Sequence, residues 1–229
     1  LYTLKLTKPR LIGKDLGLVA LFPSLYPLMV DHNIKAIQKE ADMAWHYGNI
    51  CSGFRPKHYW SDSPENLKKI VHTNGWMHGF QLGLDNKSYK HNKWLNYGLL
   101  TRAPGTNPPL LPFVHNVKSC PETIKILNNI PNIKLAGFSI MLPHSELRPH
   151  EDSTGLSTNS ISIHLGLVIP DGCTLVVYNG CNNRVDDFTP LVVEEKNKQL
   201  LAFDSVYTHR AFNRSNTYRI LLYIDLDIN

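Results

Sequence analysis

Apolar positions along the 229-residue chain change texture near Ile133. Downstream, Ile133–Leu142, Ser160–Ile169, Thr174–Tyr178, Gln199–Phe203 and Thr217–Leu226 are short runs rich in aliphatic residues. Turn formers such as Asp171-Gly172 and Asn179-Gly180 separate them, and the pattern predicts strands. Upstream the period lengthens. Ile34, Ile37 and Ala41 recur at helical spacing and predict a helix over Asp31–Ala44 with Asp31 at its N-cap. Ser63-Pro64-Glu65 opens a second helix, with Pro in the first turn, that Asn74-Gly75 closes. Cys120-Pro121-Glu122 starts a third, ended by Pro131, and Ala103 to Pro109 has loop composition.

Helices gathered upstream and strands downstream predict a mainly β fold of sandwich or barrel type, with helices covering one face of the β core. Residues 1–132 are expected to be a helical and loop region packing on the barrel. Residues 133–229 are expected to form the core, the two making one structural domain.

Composition narrows the classes little. With 42% hydrophobic and 19% charged residues, the chain is an ordinary globular protein. The net charge of +5 permits an anionic ligand, but Lys and Arg are scattered, which argues against a nucleic-acid partner. No apolar stretch reaches the roughly 18 residues of a membrane span. The chain begins at Leu1 rather than Met, and compartment stays open. Cys51, Cys120, Cys173 and Cys181 show no CxxC spacing. Buried free thiols are expected, a Cys173–Cys181 bridge across a hairpin being the alternative.

Among 11 histidines, two sets draw attention. In His150-Glu151-Asp152 an imidazole and a carboxylate two residues apart leave an extended backbone on one face, where a single metal ion can take both. A non-haem Fe(II) oxygenase site needs one more imidazole from a distant strand. His209, after the Gln199–Phe203 strand, is the candidate. His144-Ser145-Glu146 is a rival of identical stereochemistry, and parity alone leaves the choice open.

Arg219 shares parity with Leu221 and Tyr223, and so faces the barrel interior. A buried guanidinium requires an anion. A dicarboxylate co-substrate held through two parallel hydrogen bonds supplies one; a structural pair with Asp225 or Asp204 is the alternative. Trp45, Tyr59, Trp60 and Trp76 are read as core rather than as a peptide groove.

Taken in order, Phe138-Ser139-Ile140-Met141, Pro149-His150, His164 to Pro170, Gly172-Cys173 and Phe203-Asp204-Ser205 through His209 to Arg219 resemble the aspartyl/asparaginyl β-hydroxylases. Cys120-Pro121-Glu122 and Trp94 extend the resemblance upstream. It implies the double-stranded β-helix of Fe(II)/2-oxoglutarate dioxygenases, using O2. His150 and His209 match the iron histidines, and the region of His144 matches a preceding loop. Arg219, helped by Ser139, matches the group that binds the distal carboxylate of 2-oxoglutarate, and His164 lies near the other end of the keto acid. Animal members acting on EGF-like domains carry glycine where this chain has Asp152, which here completes a two-His-one-carboxylate set. Ser162 replaces a family arginine at the keto-acid carboxylate nearest the metal.

The resemblance implies a peptide or protein substrate hydroxylated at the β-carbon of Asp or Asn. Free amino acids, lipid acyl chains or another small molecule are alternatives. So are a non-catalytic barrel that binds an anion or a partner and a cupin-like metal enzyme without 2-oxoglutarate.

Overall fold

The computed structural model describes residues 11–51, 64–78, 93–102, 109–151, 160–178 and 190–228. In chain order the elements begin with β1 (Leu11–Lys14), α1 (Asp15–Leu21), a 3-10 stretch at Pro23–Met29, α2 (Asp31–Tyr47) and β2 (Ile50–Cys51). Then come α3 (Pro64–Val71), β3 (Trp76–His78), β4 (Trp94–Arg102), β5 (Leu110–Pro112), a 3-10 turn at Asn116–Ser119 and α4 (Pro121–Leu127). The remainder is strand: β6 (Ile133–Met141), β7 (Ser145–Glu146), β8 (Ser160–Val168), β9 (Cys173–Val177), β10 (Leu191–Glu194), β11 (Leu200–Phe203), β12 (His209–Asn213) and β13 (Arg219–Asp227).

The last eight strands form two facing sheets. The larger contains the order β11-β8-β13-β6, and the smaller runs β10-β9-β12-β7. Except at the β9–β10 hairpin, successive strands alternate between the sheets, which is the double-stranded β-helix. β4, with β3 and β5, extends the larger sheet beyond β6, while β1 pairs with β11 at the other end. The upstream region therefore supplies strands as well as helices.

Strand parity divides the larger sheet into a helix-facing side and a pocket-facing side. Ala136, Phe138 and Ile140 of β6, Ile161, Ile163 and Leu165 of β8, and Ile220, Leu222 and Ile224 of β13 join Ile34, Ile37 and Ala41 of α2 in one buried cluster. The alternate positions Ser139, Ser162, His164, Arg219, Leu221, Tyr223 and Asp225 turn to the space between the sheets. Both faces are covered, so β6 and β13 read as nearly continuous apolar runs rather than as an alternation.

α2 is fastened from two directions. Buried Glu40 accepts from the backbone N–H of Glu122 (2.9 Å) and Thr123 (2.9 Å) and from the Thr123 hydroxyl (2.6 Å), satisfying the first turn of α4. Gln38 donates to the Leu167 carbonyl at 2.7 Å. Asp31 is the first helical residue, with no side-chain cap, because its carboxylate turns outward to Lys35 (2.7 Å) and Lys198 (2.6 Å). Trp76 is fully buried against Trp45 and Tyr97, whereas Tyr59 and Trp60 lie outside the described residues. Cys120 and Cys173 are buried free thiols and Cys51 is half-buried; Cys181 lies outside the described residues.

Candidate active site

β7 pairs with β12 through Glu146↔Phe212 and Ser145↔Asn213, and the register continues past the end of β7. Leu147 N–H donates to the Ala211 carbonyl at 2.8 Å. His150 and His209 then exchange both backbone bonds, at 2.9 and 2.8 Å. Residues opposed in this way project side chains from the same face. The two imidazoles accordingly lie with ring centroids 4.4 Å apart, although far apart in sequence. His209 follows the Leu200–Phe203 strand, as expected, and itself opens β12.

Their tautomers are set by backbone. Nδ1 of His150 lies 2.7 Å from the Arg148 carbonyl, and Nδ1 of His209 lies 3.0 Å from the Tyr207 carbonyl. A carbonyl only accepts, so each Nδ1 carries a proton, and in the neutral ring Nε2 has the lone pair. This is the state in which an imidazole ligates a metal, its other nitrogen donating to a carbonyl that fixes the ring.

His209 is buried and its ring packs edge-on against Phe203 at 4.9 Å. Among the described residues no three His, Cys, Asp or Glu side chains form a metal-binding group. Asp152 lies outside the described residues. The two imidazoles fit as donors to one divalent ion.

His144 and Glu146, the rival pair, lead elsewhere. His144 takes a left-handed backbone, φ 50°, and its Nε2 meets Asn216 Oδ1 at 2.9 Å on the surface, while Glu146 accepts from Arg210 at 3.2 Å.

The imidazoles border a cavity, partly open to solvent, whose wall also carries Ser139, Ser162, His164 and Arg219. Trp94 Nε1 donates to Ser139 Oγ at 2.8 Å, leaving the serine hydroxyl as a donor toward a ligand. Ser162 is buried and gives its proton to Asp225 Oδ1 at 2.6 Å, so the site of the family arginine holds a neutral hydroxyl tied to a carboxylate. Asn96, opposite Ser139 in the sheet, is 4% exposed, and its Oδ1 has no hydrogen-bond partner among the described residues.

Arg219 is paired with neither Asp225 nor Asp204. Its Nε and Nη2 donate to Glu195 at 2.7 and 2.6 Å, with both side chains buried. Glu195 also accepts from His164 Nδ1 at 3.3 Å. Burial works to raise the Glu195 pKa, but the adjacent Arg219 charge and the bonds from His164 and Arg219 prevail and hold it down to about 2. The depressed value means that this contribution to stability is complete above the ordinary 4.5 and is lost only as pH falls toward 2. Burial drives the His164 pKa below its usual value, which keeps the ring neutral and Nδ1 a donor.

Glu195 was not among the sequence candidates. The alternation that buries Val193 and exposes Glu194 continues to it, and extending that parity one step beyond β10 would have found it.

A sequence model of the aspartyl/asparaginyl β-hydroxylase family matches residues 31–228. An ornithine lipid ester-linked acyl 2-hydroxylase from Rhizobium tropici is 31% identical over 110 residues, covering 48% of this chain and 35% of that protein. An uncharacterized protein, L888, of Acanthamoeba polyphaga mimivirus is 30% identical over 97 residues, covering 42% and 31%. The chain thus spans about a third of the length of these relatives. A 2OG-Fe(II) oxygenase family oxidoreductase from Burkholderia pseudomallei aligns at 16% identity over 58% of this chain and 67% of its own, with a TM-score of 0.41. The fold assignment rests on the strand order, not on that likeness.

Proposed function

Because the chain belongs to the aspartyl/asparaginyl β-hydroxylase family, we propose that it is an Fe(II)- and 2-oxoglutarate-dependent hydroxylase. The observation that carries this reading is the backbone-bridged pair of imidazoles, each with Nδ1 engaged by a carbonyl. His150, His209 and Asp152 hold the iron. When bound, the metal with 2-oxoglutarate and O2 supplies the oxidising chemistry: one oxygen atom enters a substrate C–H bond, the other enters succinate, and CO2 leaves.

The chain's own groups orient and shield. Arg219 and the Ser139 hydroxyl receive the distal carboxylate of the keto acid, and His164 and Ser162 line the wall near its other end. Leu147, Leu175 and Leu221 keep part of the cavity apolar, which limits water at the reacting carbon. We read residues 133–229 as the core that carries the site and residues 1–132 as packing on it within one structural unit. The continuous sheet from β4 to β6 supports this.

The Rhizobium relative acts, by its name, on position 2 of an ester-linked acyl chain, a methylene next to a carbonyl carbon. The β-carbon of Asp or Asn is also a methylene next to a carbonyl carbon. We therefore propose a substrate presenting such a methylene. The likeness to the lipid enzyme favours an acyl chain, and family membership keeps a peptide Asp or Asn as the second reading.

The test is anaerobic loading with Fe(II), then addition of O2 and 2-oxoglutarate with either an ester-linked acyl lipid or an Asp- and Asn-containing peptide. Succinate should form in step with substrate gaining one oxygen atom. Turnover that persists in His209→Ala would overturn the site.

A further inference from the structure

Behind the cavity wall, bonded to the Arg219 that lines it, lies an anion of the chain's own. Glu195 follows β10 with the inward parity of Leu191 and Val193, and its side chain is 3% exposed. It grips the Nε/Nη2 edge of Arg219. A guanidinium has five N–H donors, and this pairing uses two of them. No acceptor among the described residues meets Nη1, and Arg219 lines the cavity, so the Nη1/Nη2 edge can take a second carboxylate.

Resting on the hydroxylase reading, we propose that Glu195 sets co-substrate affinity. It neutralises Arg219 on one edge, so that the distal carboxylate of the keto acid docks on the other edge against an existing negative charge. Glu195 is ionised throughout the neutral range, and the repulsion is therefore always present.

Two carboxylates on adjacent edges of one guanidinium lie several ångströms apart in a poorly hydrated wall. At an effective dielectric constant of about 20, removing one charge should tighten binding of the other by roughly tenfold or more. A purely structural Glu195 predicts the opposite sign, because a disordered Arg219 would bind a carboxylate less well. His164, bonded to the same Glu195 oxygen, helps to hold the carboxylate in place.

The experiment is calorimetric titration of 2-oxoglutarate into the chain loaded anaerobically with Fe(II), as wild type and as Glu195→Gln, which keeps the shape and removes the charge. Kd is expected to fall about tenfold in the variant. A fall of less than about threefold, or a rise, overturns the proposal while the hydroxylase reading stands on wild-type binding. Absence of binding in both proteins overturns reading and proposal together.

Glu195→Gln leaves a buried cation with a neutral partner and should melt earlier, with succinate restoring more of its melting temperature than it adds to wild type. Should the variant not fold, wild type alone decides. Replacing 2-oxoglutarate by 2-oxopentanoate, the same chain without the distal carboxylate, should weaken binding by no more than about tenfold, and a larger ratio overturns the proposal.

Discussion

At the imidazole pair the chain contributes neutral rings held by backbone carbonyls, whereas at Arg219 it contributes a full charge already met by another full charge. The difference follows from what each group costs to bury. A neutral imidazole needs one hydrogen bond to be placed, and the Arg148 and Tyr207 carbonyls provide it through Nδ1. An unmatched guanidinium costs several kcal/mol in the same surroundings, and the fold supplies Glu195 before any ligand arrives. A metal-ligating position is thus prepared by dipoles, and an anion-binding position by a resident counter-charge.

Breaking the charged pair should have the largest effect. Arg219→Met leaves Glu195 buried without its cation and is expected to cost about 3–5 kcal/mol, read in chemical denaturation. Arg219→Met with Glu195→Leu should recover most of that loss. Failure of the double variant to recover would mean that the pair contributes more than mutual neutralisation.

His150→Ala tests the other side of the comparison. Apo stability should change little, but the stabilisation of about 2.7 kcal/mol that wild type gains at a hundredfold excess of Fe(II) over Kd should vanish. A large loss in the apo protein would show that the ring is structural.

The smallest effect is expected from Trp94→Phe, which removes the bond to Ser139 at a cost of about 1 kcal/mol. A measurably weaker hold on 2-oxoglutarate would then show that the indole orients the serine hydroxyl.

Much of the fold was legible because burial on both faces writes long apolar runs. Ile133–Leu142 and Ser160–Ile169 were placed within a residue or so of β6 and β8. The strand β12 was not foreseen, because His-Arg-Ala-Phe-Asn puts Arg210 on the outer side and a histidine and an asparagine on the inner, which erases the apolar alternation. β4 escaped for a related reason. Its Asn96, Gly98 and Thr101 break the run, yet the strand is almost wholly buried by β3, β5 and β6.

The meeting of His150 and His209 rests on a cross-strand register that no local pattern encodes. The residues offered His209 as a candidate, and the resemblance to a family chose His150 over His144 as its partner. Glu195 lies 24 residues from Arg219 in sequence, farther than Asp204 or Asp225, and only the parity of the strand before it turns it inward.

β7 is two residues long and lies at the outer margin of the smaller sheet. Its extension through the reciprocal His150–His209 bridge is where the barrel is most easily peeled. An ion gripped by both rings would act as a rivet across that seam, so amide hydrogen exchange at His150 and His209 should slow together on metal loading and quicken together on chelation. Iron loss would then be a loosening of the architecture itself, and the same two amides would register both.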